Sequence, residues 1–259
     1  MTGHDAPVVI VLAAGLGSRL GEATAAKPKC LVDVAGRPIL GHILDGCRAA
    51  GTSDLFVAVG YCRDQVREFV ATQGQPFDRA TFVENEEYAA TGTARSLLLA
   101  LDAARASEGP LVVIEGDTAF APAALQALMR SPHEIAFAAS PYDLEIHSGT
   151  RLFVDPAGQV RDVIHASDTD GDGARGRAYK TANLHLFRTP ASRKLLREHL
   201  VRCIAEAGPT APSEFALRSL VADGPTPCFV VELGDTPWFE VDTAQDRERA
   251  DELFKNAPR

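Results

Sequence analysis

A glycine-containing stretch near the start of the chain carries residues whose types and spacing suit phosphate chemistry. An apolar, β-branched run, Val8 to Leu12, leads into the sequence AAGLGSRL. Gly15 and Gly17 let the backbone turn sharply and approach a ligand without a Cβ in the way. Backbone N–H groups in such a turn bind anions, and Arg19 and Lys29 add two cations beside it. The stretch therefore predicts a nucleoside triphosphate site.

Two better-known glycine motifs do not fit this stretch. A P-loop requires G-x-x-x-x-G-K-[ST], which the chain lacks. The dinucleotide fingerprint G-x-G-x-x-G fails because the third glycine, Gly21, comes one residue too late. The pattern that fits is G-x-G-[ST]-R-L followed by P-K-x-L, which ends at Leu31. The alternative is a strand-to-helix turn that binds no ligand.

Composition limits the class of protein. The chain has 259 residues, of which 46% are hydrophobic, enough for a sizeable core without disulfides. A net charge of −9 argues against a nucleic-acid or anionic-membrane surface. Five scattered cysteines show no C-x-x-C spacing, and no apolar run approaches about 20 residues. We expect a cytoplasmic protein that binds neither nucleic acid nor membrane; the composition leaves its oligomeric state open.

Short apolar runs alternate with amphipathic segments in the first half of the chain. Strands are predicted at 8–12, 55–59, 80–83, 111–114 and 134–139, and helices at 39–50, 63–72, 94–106 and 122–129. This alternation predicts βαβ units and a mostly parallel sheet, with ligands at the carboxyl ends of the strands. The glycine loop and Asp117, which each follow a strand, are therefore expected on the same edge.

The pattern changes after residue 140. A hairpin is predicted at 151–164, strands at 180–187 and 228–233, and helices at 191–206, 213–222 and 243–254. The acidic run DTDGDG is not an EF-hand loop, because its twelfth position is Tyr179 and no helix precedes it. We expect a mobile acidic loop over the acceptor. We predict one domain, with a nucleotide-binding part at 1–139 and an acceptor-binding part at 140–259.

Two carboxylates distant in sequence are candidates for a metal site. Asp117 ends a buried strand in E-G-D, and Glu240 and Asp242 lie on one side of a short strand at 239–243. Mg²⁺ prefers carboxylate and phosphate oxygens, and two distant carboxylates on one metal suit phosphoryl transfer. Asp242 can also cap the terminal helix, with Gln245 completing a capping box. The two roles of Asp242 are compatible.

Each of the other candidate residues also has a purely structural interpretation. Gly92 allows close backbone approach at the start of a helix, which favours contact with the nucleotide base or a phosphate. The alternative is that Thr91 or Thr93 simply caps the helix. Lys180 enters a strand, where it pairs with an acceptor phosphate or remains a solvated surface lysine. Four aromatic residues line an acceptor pocket or belong to the core: Tyr142, Tyr179, Trp238 and Phe239. An acceptor that carries an ammonium group favours aromatic and acidic neighbours. Arg151 instead favours a carboxylated or hydroxylated phosphonate. The sequence leaves the identity of the acceptor open between these two.

Taken together, the motifs resemble those of nucleotidyltransferases over nearly the full length of the chain. The supporting runs are GLGSRLGEAT, KPKCLV, AGRPIL, VGYCRDQVREFV, ENEEY, SLLLAL, EGD, YKTANLHLF and WFEVDTAQD. They look most like the branch that contains phosphocholine and phosphonate cytidylyltransferases. This resemblance implies a Rossmann-like, three-layer α/β/α fold with a small β-rich acceptor-side extension. It also implies Mg²⁺, CTP and a small phosphorylated or phosphonate acceptor.

The resemblance assigns roles to individual residues. Arg19 and Lys29 would bind the triphosphate, and Asp117 and Asp242 would share Mg²⁺; these four form the expected catalytic set. The residues expected at the nucleotide are Leu12, Ala13, Ala14, Gly15, Gly17, Ser18, Arg19, Lys29, Glu84, Gly92, Thr93, Ser96 and Gly116. Those expected at the acceptor are Tyr142, Arg151, Tyr179, Lys180, Asn183, Trp238 and Glu240.

Two departures from the family pattern point in different directions. Sugar-1-phosphate nucleotidyltransferases usually have proline where Glu22 and Cys30 stand, which favours the cytidylyl branch. The run Gly92-Thr93-Ala94 is closer to the sugar enzymes. A sugar-1-phosphate enzyme that uses UTP, GTP or dTTP is therefore the alternative. A nucleotide-binding regulatory module without catalysis is a second one, although two metal carboxylates argue against it.

Overall fold

The computed structural model describes residues 6–165 and 176–256. Its strands are β1 (Val8–Ala13), β2 (Asp33–Val34), β3 (Arg37–Pro38), β4 (Asp54–Val59), β5 (Thr81–Glu84), β6 (Leu111–Glu115), β7 (Thr118–Phe120), β8 (Ile135–Pro141), β9 (Arg151–Val154), β10 (Val160–Ile164), β11 (Arg177–Phe187), β12 (Cys228–Glu232) and β13 (Trp238–Glu240). Its α-helices are α1 (Ile39–Ala49), α2 (Arg63–Ala71), α3 (Thr93–Ala103), α4 (Pro122–Arg130), α5 (Pro190–Ala207), α6 (Ser213–Asp223) and α7 (Ala244–Asn256). Most of the predicted acidic loop at 168–178 lies outside the described residues.

The centre of the main sheet is parallel, as predicted. β1 lies between β4 and β6, with Val8 opposite Asp54 on one side and Leu111 on the other, and β5 follows β4. Every residue of β1 is buried. A strand that is buried on both faces has a continuous apolar sequence, and the run from Val8 to Leu12 is of this kind.

Antiparallel strands extend the sheet on the acceptor side. β11 pairs with β6, β8 and β9, β9 pairs with β10, and β12 runs parallel to β8. A register shift between Thr181 and His185 lets one half of β11 pair with β9 and the other half with β6. Asn183 lies in this shift with a φ of 58°. The predicted fold class, a mostly parallel centre with a β-rich extension, is confirmed.

Helices cover both faces of the sheet. Val9 and Val11 belong to a core shared with α1 and α4, whereas Ile10 and Leu12 belong to a core shared with α3, α5 and α6. Alternate residues of a strand face opposite sides, so these two cores make the three layers α/β/α. Position 140 lies inside β8, and the predicted functional division there stays a prediction. No helix in the described ranges has the length and apolarity needed to span a membrane.

Two local predictions near the end of the chain need correction. The predicted short strand at 239–243 is β13, which ends at Glu240. The capping box of α7 is formed by Thr243 and Asp246 rather than by Asp242 and Gln245, because the Thr243 N–H donates to Asp246 Oδ2 (2.8 Å) and the Asp246 N–H donates to Thr243 Oγ1 (3.2 Å). The carboxylate of Asp242 is thereby left for other partners.

A buried histidine predicts acid sensitivity. His185 on β11 is buried against Phe137, and burial lowers its pKa from 6.5 to about 3. The unfolded chain therefore binds a proton at His185 more readily than the folded chain does. The stability that depends on a neutral His185 is fully present above pH 6.5 and is lost as the pH falls toward 3. We expect the free energy of unfolding to fall by roughly 3 kcal/mol more between pH 7 and 4 in the wild type than in His185→Gln.

Urea denaturation at both pH values measures this difference. His133→Gln, at a partly exposed histidine, serves as the control. Between pH 7 and 4 its free energy of unfolding should fall by as much as that of the wild type. Equal losses in the wild type and His185→Gln would show that His185 does not carry the acid sensitivity.

Candidate active site

Three distant chain segments meet in one charged cluster. The ammonium of Lys29 lies 2.8 Å from Asp117 Oδ2 and 2.5 Å from Asp242 Oδ1. The guanidinium of Arg19 contacts the same Asp242 oxygen at 2.8 Å. The glycine loop and Asp117 therefore lie at the same edge of the sheet, and Asp242 joins them from the far end of the chain.

A pair of three-residue strands places the two carboxylates side by side. β7 follows Asp117 directly, and β13 pairs antiparallel with it, with Glu240 opposite Thr118. The Val241 N–H then donates to the Asp117 carbonyl at 2.9 Å. Asp242 follows at once, so the ladder holds the carboxylates of Asp117 and Asp242 within reach of one cation.

Gly17 positions Lys29. Its φ is +63°, and a Cβ at this position would lie 2.8 Å from Lys29 Cβ. Thr24 supports the turn, because its Oγ1 donates to the Gly17 carbonyl at 2.9 Å. A side chain at position 17 would strain the backbone and displace the lysine.

The opposite charges in the cluster stabilise the charged forms of Lys29 and Asp117. The Lys29 side chain is 14% exposed; burial lowers its pKa, but the carboxylates of Asp117 and Asp242 outweigh this effect and raise the pKa overall. Burial raises the pKa of Asp117, yet the charge and hydrogen bond of Lys29 bring it below its usual value. Lys29 is thus charged and Asp117 ionised at neutral pH.

A second ion pair lies beside the first. Lys180 Nζ is 2.5 Å from Glu240 Oε2, and the other oxygen of Glu240 accepts from Asn183 Nδ2 at 2.9 Å. Lys180 is 2% exposed, so its charge is held inside the protein opposite Glu240. Burial lowers the pKa of Lys180, but Glu240 and Asp117 raise it overall. Lys180 and Asn183, both predicted at the acceptor, therefore contact the same carboxylate, that of Glu240.

An aromatic group lies next to the second ion pair. Trp238 donates from Nε1 to Ser140 Oγ at 2.8 Å, and its indole stacks on His147 with ring centres 6.0 Å apart. The Tyr142 hydroxyl donates to the His147 carbonyl at 2.9 Å, and the Arg151 guanidinium lies 5.7 Å from the Tyr142 ring centre. A cavity bounded by His147, Lys180 and Trp238 connects this group to the ion pair. Two predicted acceptor residues, Tyr142 and Trp238, thus contact His147, and a third, Arg151, lies against Tyr142.

A narrow cleft of about 80 Å³ opens on the glycine-loop side of the cluster. It is lined by Leu12, Ala13, Gly15, Lys29, Cys30, Thr93, Glu115, Gly116 and Asp117. Seven of these nine belong to the residues predicted at the nucleotide or the metal; Cys30 and Glu115 are additional. Gly116 permits the close approach of two strands, because a Cβ there would lie 2.4 Å from the Leu12 carbonyl oxygen.

Gly92 and Ser96 are used for packing inside the protein. The Gly92 N–H donates to the Pro209 carbonyl at 2.9 Å, and a Cβ at Gly92 would lie 2.2 Å from the Ala211 carbonyl oxygen. Ser96 Oγ accepts from Asn85 Nδ2 at 3.0 Å. Their predicted contact with the nucleotide stays a prediction.

Two further predicted residues lie away from the cluster. The Glu84 carboxylate forms ion pairs with Arg63 (3.0 Å) and Arg67 on α2. The Tyr179 hydroxyl bonds to Glu232 on β12, and its ring lies in the core on the α3 side of the sheet. The structure does not bring either residue to the site, because their polar groups are already paired with other parts of the chain.

The remaining predicted nucleotide residues flank the cleft without lining it. The Ala14 carbonyl accepts from the Tyr61 N–H at 3.1 Å, and Ser18 begins a 3₁₀ helix that ends at Thr24. Sequence reasoning missed His147 and Glu115. His147 stands in a loop without metal-ligand spacing, and Glu115 was read only as part of the E-G-D run that carries Asp117.

The fold and this edge of the sheet define the class of protein. Residues 9–175 match the model of the MobA-like NTP transferase domain, so the chain belongs to this family. The predicted family resemblance is confirmed.

Particular relatives include a CMP-phosphonate synthase and the bifunctional protein GlmU. The chain is 33% identical over 249 residues to a CMP-5′-(3-aminopropyl)phosphonate synthase of Streptomyces rubellomurinus, covering 95% of this chain and 38% of that protein. It is 32% identical over 163 residues to the bifunctional protein GlmU of Cupriavidus pinatubonensis, covering 62% and 33% of the two chains. The chain thus spans less than two fifths of the length of these relatives.

Solved structures share the fold. The CTP:phosphocholine cytidylyltransferase LicC from Streptococcus pneumoniae gives a TM-score of 0.74 at 18% identity, covering 96% of this chain and 99% of that one. The inositol-1-phosphate CTP transferase from T. maritima gives 0.73 at 19% identity over the full length of both chains. A UDP-glucose pyrophosphorylase gives 0.76 at 12% identity, covering 97% and 98%. At these identities the likeness establishes the fold alone.

Proposed function

We propose that the protein is a Mg²⁺-dependent cytidylyltransferase that joins CMP from CTP to a small phosphonate or phosphocholine-like acceptor and releases pyrophosphate. The observation that carries this proposal is the meeting of Lys29, Asp117 and Asp242 beside the glycine loop. A pure nucleotide-binding module has no need for two carboxylates at the phosphates. The relative that makes a CMP-phosphonate supports the choice of CTP and of a phosphonate.

The triphosphate would bind along the glycine loop. Backbone N–H groups near Gly15 and Gly17 suit phosphate oxygens, and Arg19 and Lys29 supply positive charge from the same side. The Arg19 side chain is 69% exposed, so it is free to move from Asp242 onto phosphate. These cations would stabilise the charge that develops on the leaving pyrophosphate.

The residues present fit a shared magnesium ion. Asp117 and Asp242 already hold one cation, the Lys29 ammonium, between single oxygens of each carboxylate. In residues 6–165 and 176–256, no group of three or more His, Cys, Asp or Glu side chains could hold a metal. Two carboxylates plus phosphate oxygens and water match the preference of Mg²⁺. When bound, the ion would neutralise phosphate charge and orient the triphosphate.

The acceptor would approach from the side of Lys180. Its buried ammonium suits a phosphonate or phosphate dianion, and the Trp238–His147 stack with the carboxylates nearby suits an ammonium group at the other end. An acceptor oxygen then attacks the α-phosphorus of CTP in line, and the bond to pyrophosphate breaks. The attacking oxygen is already an anion near neutral pH, so no general base is required. Catalysis rests on positioning and on reducing repulsion between two anions.

A sugar-1-phosphate nucleotidyltransferase is the second candidate. The similarity to GlmU and the run Gly92-Thr93-Ala94 favour it. The two candidates differ in both substrates, so a matrix of nucleoside triphosphates against acceptors separates them.

Lys180 provides the test on the acceptor side. Lys180→Met is expected to raise the KM for the acceptor by roughly 10- to 100-fold with little change in the KM for CTP, because it removes a charged hydrogen-bond donor. Initial rates of pyrophosphate release at varied acceptor and fixed CTP measure this. Lys194→Met, at an exposed lysine on α5, is the control and should leave both constants unchanged.

A rise in the KM for CTP alone would place Lys180 with the triphosphate instead. Loss of one partner of a buried ion pair also destabilises proteins, so thermal unfolding of Lys180→Met and rates for Lys180→Arg accompany the test. Partial rescue of the acceptor KM by arginine is expected, since it restores the positive charge.

A further inference from the structure

Glu115 is a carboxyl group in the cleft that the proposed reaction does not use. It ends β6 in register with Leu12 of β1, two residues before Asp117. Its side chain lies on the sheet face covered by α3 and α6, and only 8% of the residue is exposed. That exposed part lines the cleft together with Thr93 and Gly15.

Residues at the starts of α3 and α6 fix the position of the Glu115 carboxyl. Ser213 Oγ donates to Glu115 Oε1 at 3.0 Å, and the Ser213 N–H donates to Thr93 Oγ1 at 2.7 Å. The two hydroxyl groups lie 3.0 Å apart. Three segments that meet at the cleft therefore fix the position of one oxygen of Glu115.

The other oxygen of Glu115 has no structural use. In the described part of the chain, Ser213 is the one side chain that hydrogen-bonds to Glu115. A carboxyl group offers about four acceptor positions, and burying one with a single partner is costly. Apolar Val113 and Leu111 precede it on the same face of β6, so packing alone would favour an apolar residue at position 115. The arrangement leaves one carboxyl oxygen for a ligand in the cleft.

Glu115 lies at a distance from the proposed phosphate site that suits the sugar of a nucleotide. In the proposed function, the α-phosphate lies beside Lys29, Asp117 and Asp242. Two residues of extended chain span about 7 Å, so the end of β6 lies one sugar ring away from Asp117. Ribose hydroxyls both donate and accept, and acidic side chains bind them at other nucleotide sites.

We propose that Glu115 binds a ribose hydroxyl of the nucleotide and makes the site prefer ribonucleotides to deoxyribonucleotides. This inference rests on the proposed function of the cleft. Ser213 and Thr93 act as positioning residues that orient the carboxyl.

Binding of CTP, UTP and their 2′-deoxy and 3′-deoxy forms, measured by calorimetry with Mg²⁺ and without acceptor, tests the proposal. The wild type is expected to bind one deoxy form roughly tenfold more weakly than its ribonucleotide, because that form leaves Glu115 unpaired. Glu115→Met should lose this preference through weaker binding of the ribonucleotide. Glu115→Gln should keep most of it, since an amide also bonds to a hydroxyl.

Glu214→Met is the matched control. Glu214 also lies within 3.2 Å of Ser213 Oγ but does not line the cleft, so its loss should leave the preference unchanged. If Glu115→Met does not fold, Ser213→Ala, which removes the orienting hydrogen bond, should reduce the preference.

Four results overturn the proposal. Equal binding of ribonucleotides and both deoxy forms by the wild type overturns it while leaving the proposed function intact. A folded Glu115→Met protein that retains the preference, or that changes only the ratio of CTP to UTP, also overturns it. Absence of nucleotide binding to the wild type overturns both this proposal and the proposed function.

Discussion

Asp117→Asn is expected to lower turnover by about 10³-fold or more while leaving the fold intact. Loss of one transition-state contact costs about 10²- to 10³-fold, and Asp117 is proposed both to bind Mg²⁺ and to hold Lys29. The amide keeps the shape of the carboxylate, and Asp242 remains to pair with Lys29 at 2.5 Å. Pyrophosphate release under saturating substrates measures the effect.

A second readout separates metal binding from activity. Binding of Mn²⁺ in the presence of CTP, followed by electron paramagnetic resonance, should weaken in Asp117→Asn. Asp102→Asn, on the exposed ion pair with Arg197, is the control and should match the wild type in both assays. Near-normal turnover of Asp117→Asn would remove the metal assignment.

Lys29→Met should lower turnover by at least about 10²-fold, the second largest effect we expect. It removes the cation that faces the triphosphate and leaves two carboxylates without their shared partner. The same loss raises the pKa of Asp117, because the charge and hydrogen bond of Lys29 are what hold it below its usual range. The drop in kcat should therefore exceed the change in the KM for CTP.

Lys27 offers a matched control for this variant. It stands two residues earlier in an exposed ion pair with Asp33, at 3.2 Å. Lys27→Met should behave as the wild type. A defect in Lys29→Met confined to the acceptor KM would move Lys29 out of the triphosphate site.

Local sequence patterns predicted the parts of this molecule that local physics determines. β1 is buried on both faces, so its apolar run was visible, and Gly17 needs a positive φ, so its glycine was informative. Asp117 was identified because it follows a strand whose carboxyl end must lie at the ligand edge.

Features that depend on non-local pairing could not be predicted in the same way. β7 and β13 have three residues each, too few for a pattern, yet their ladder brings Asp242 to Asp117. The packing role of Gly92 also depends on distant residues, because this glycine makes room for the loop before α6. The role of Glu115 depends on Ser213, which lies 98 residues later in the chain, so no local pattern predicts it.

The measurement that tests the central claim most directly is pyrophosphate release with Mg²⁺ from each of CTP, UTP, GTP, ATP and dTTP. Each nucleotide is paired with phosphocholine, small aminoalkylphosphonates and sugar-1-phosphates, and ³¹P NMR identifies the product. We predict release with CTP and a phosphonate or phosphocholine, and a new phosphorus–oxygen–phosphorus linkage to CMP. Release only with another triphosphate and a sugar phosphate, or no release with any pair, would contradict the account.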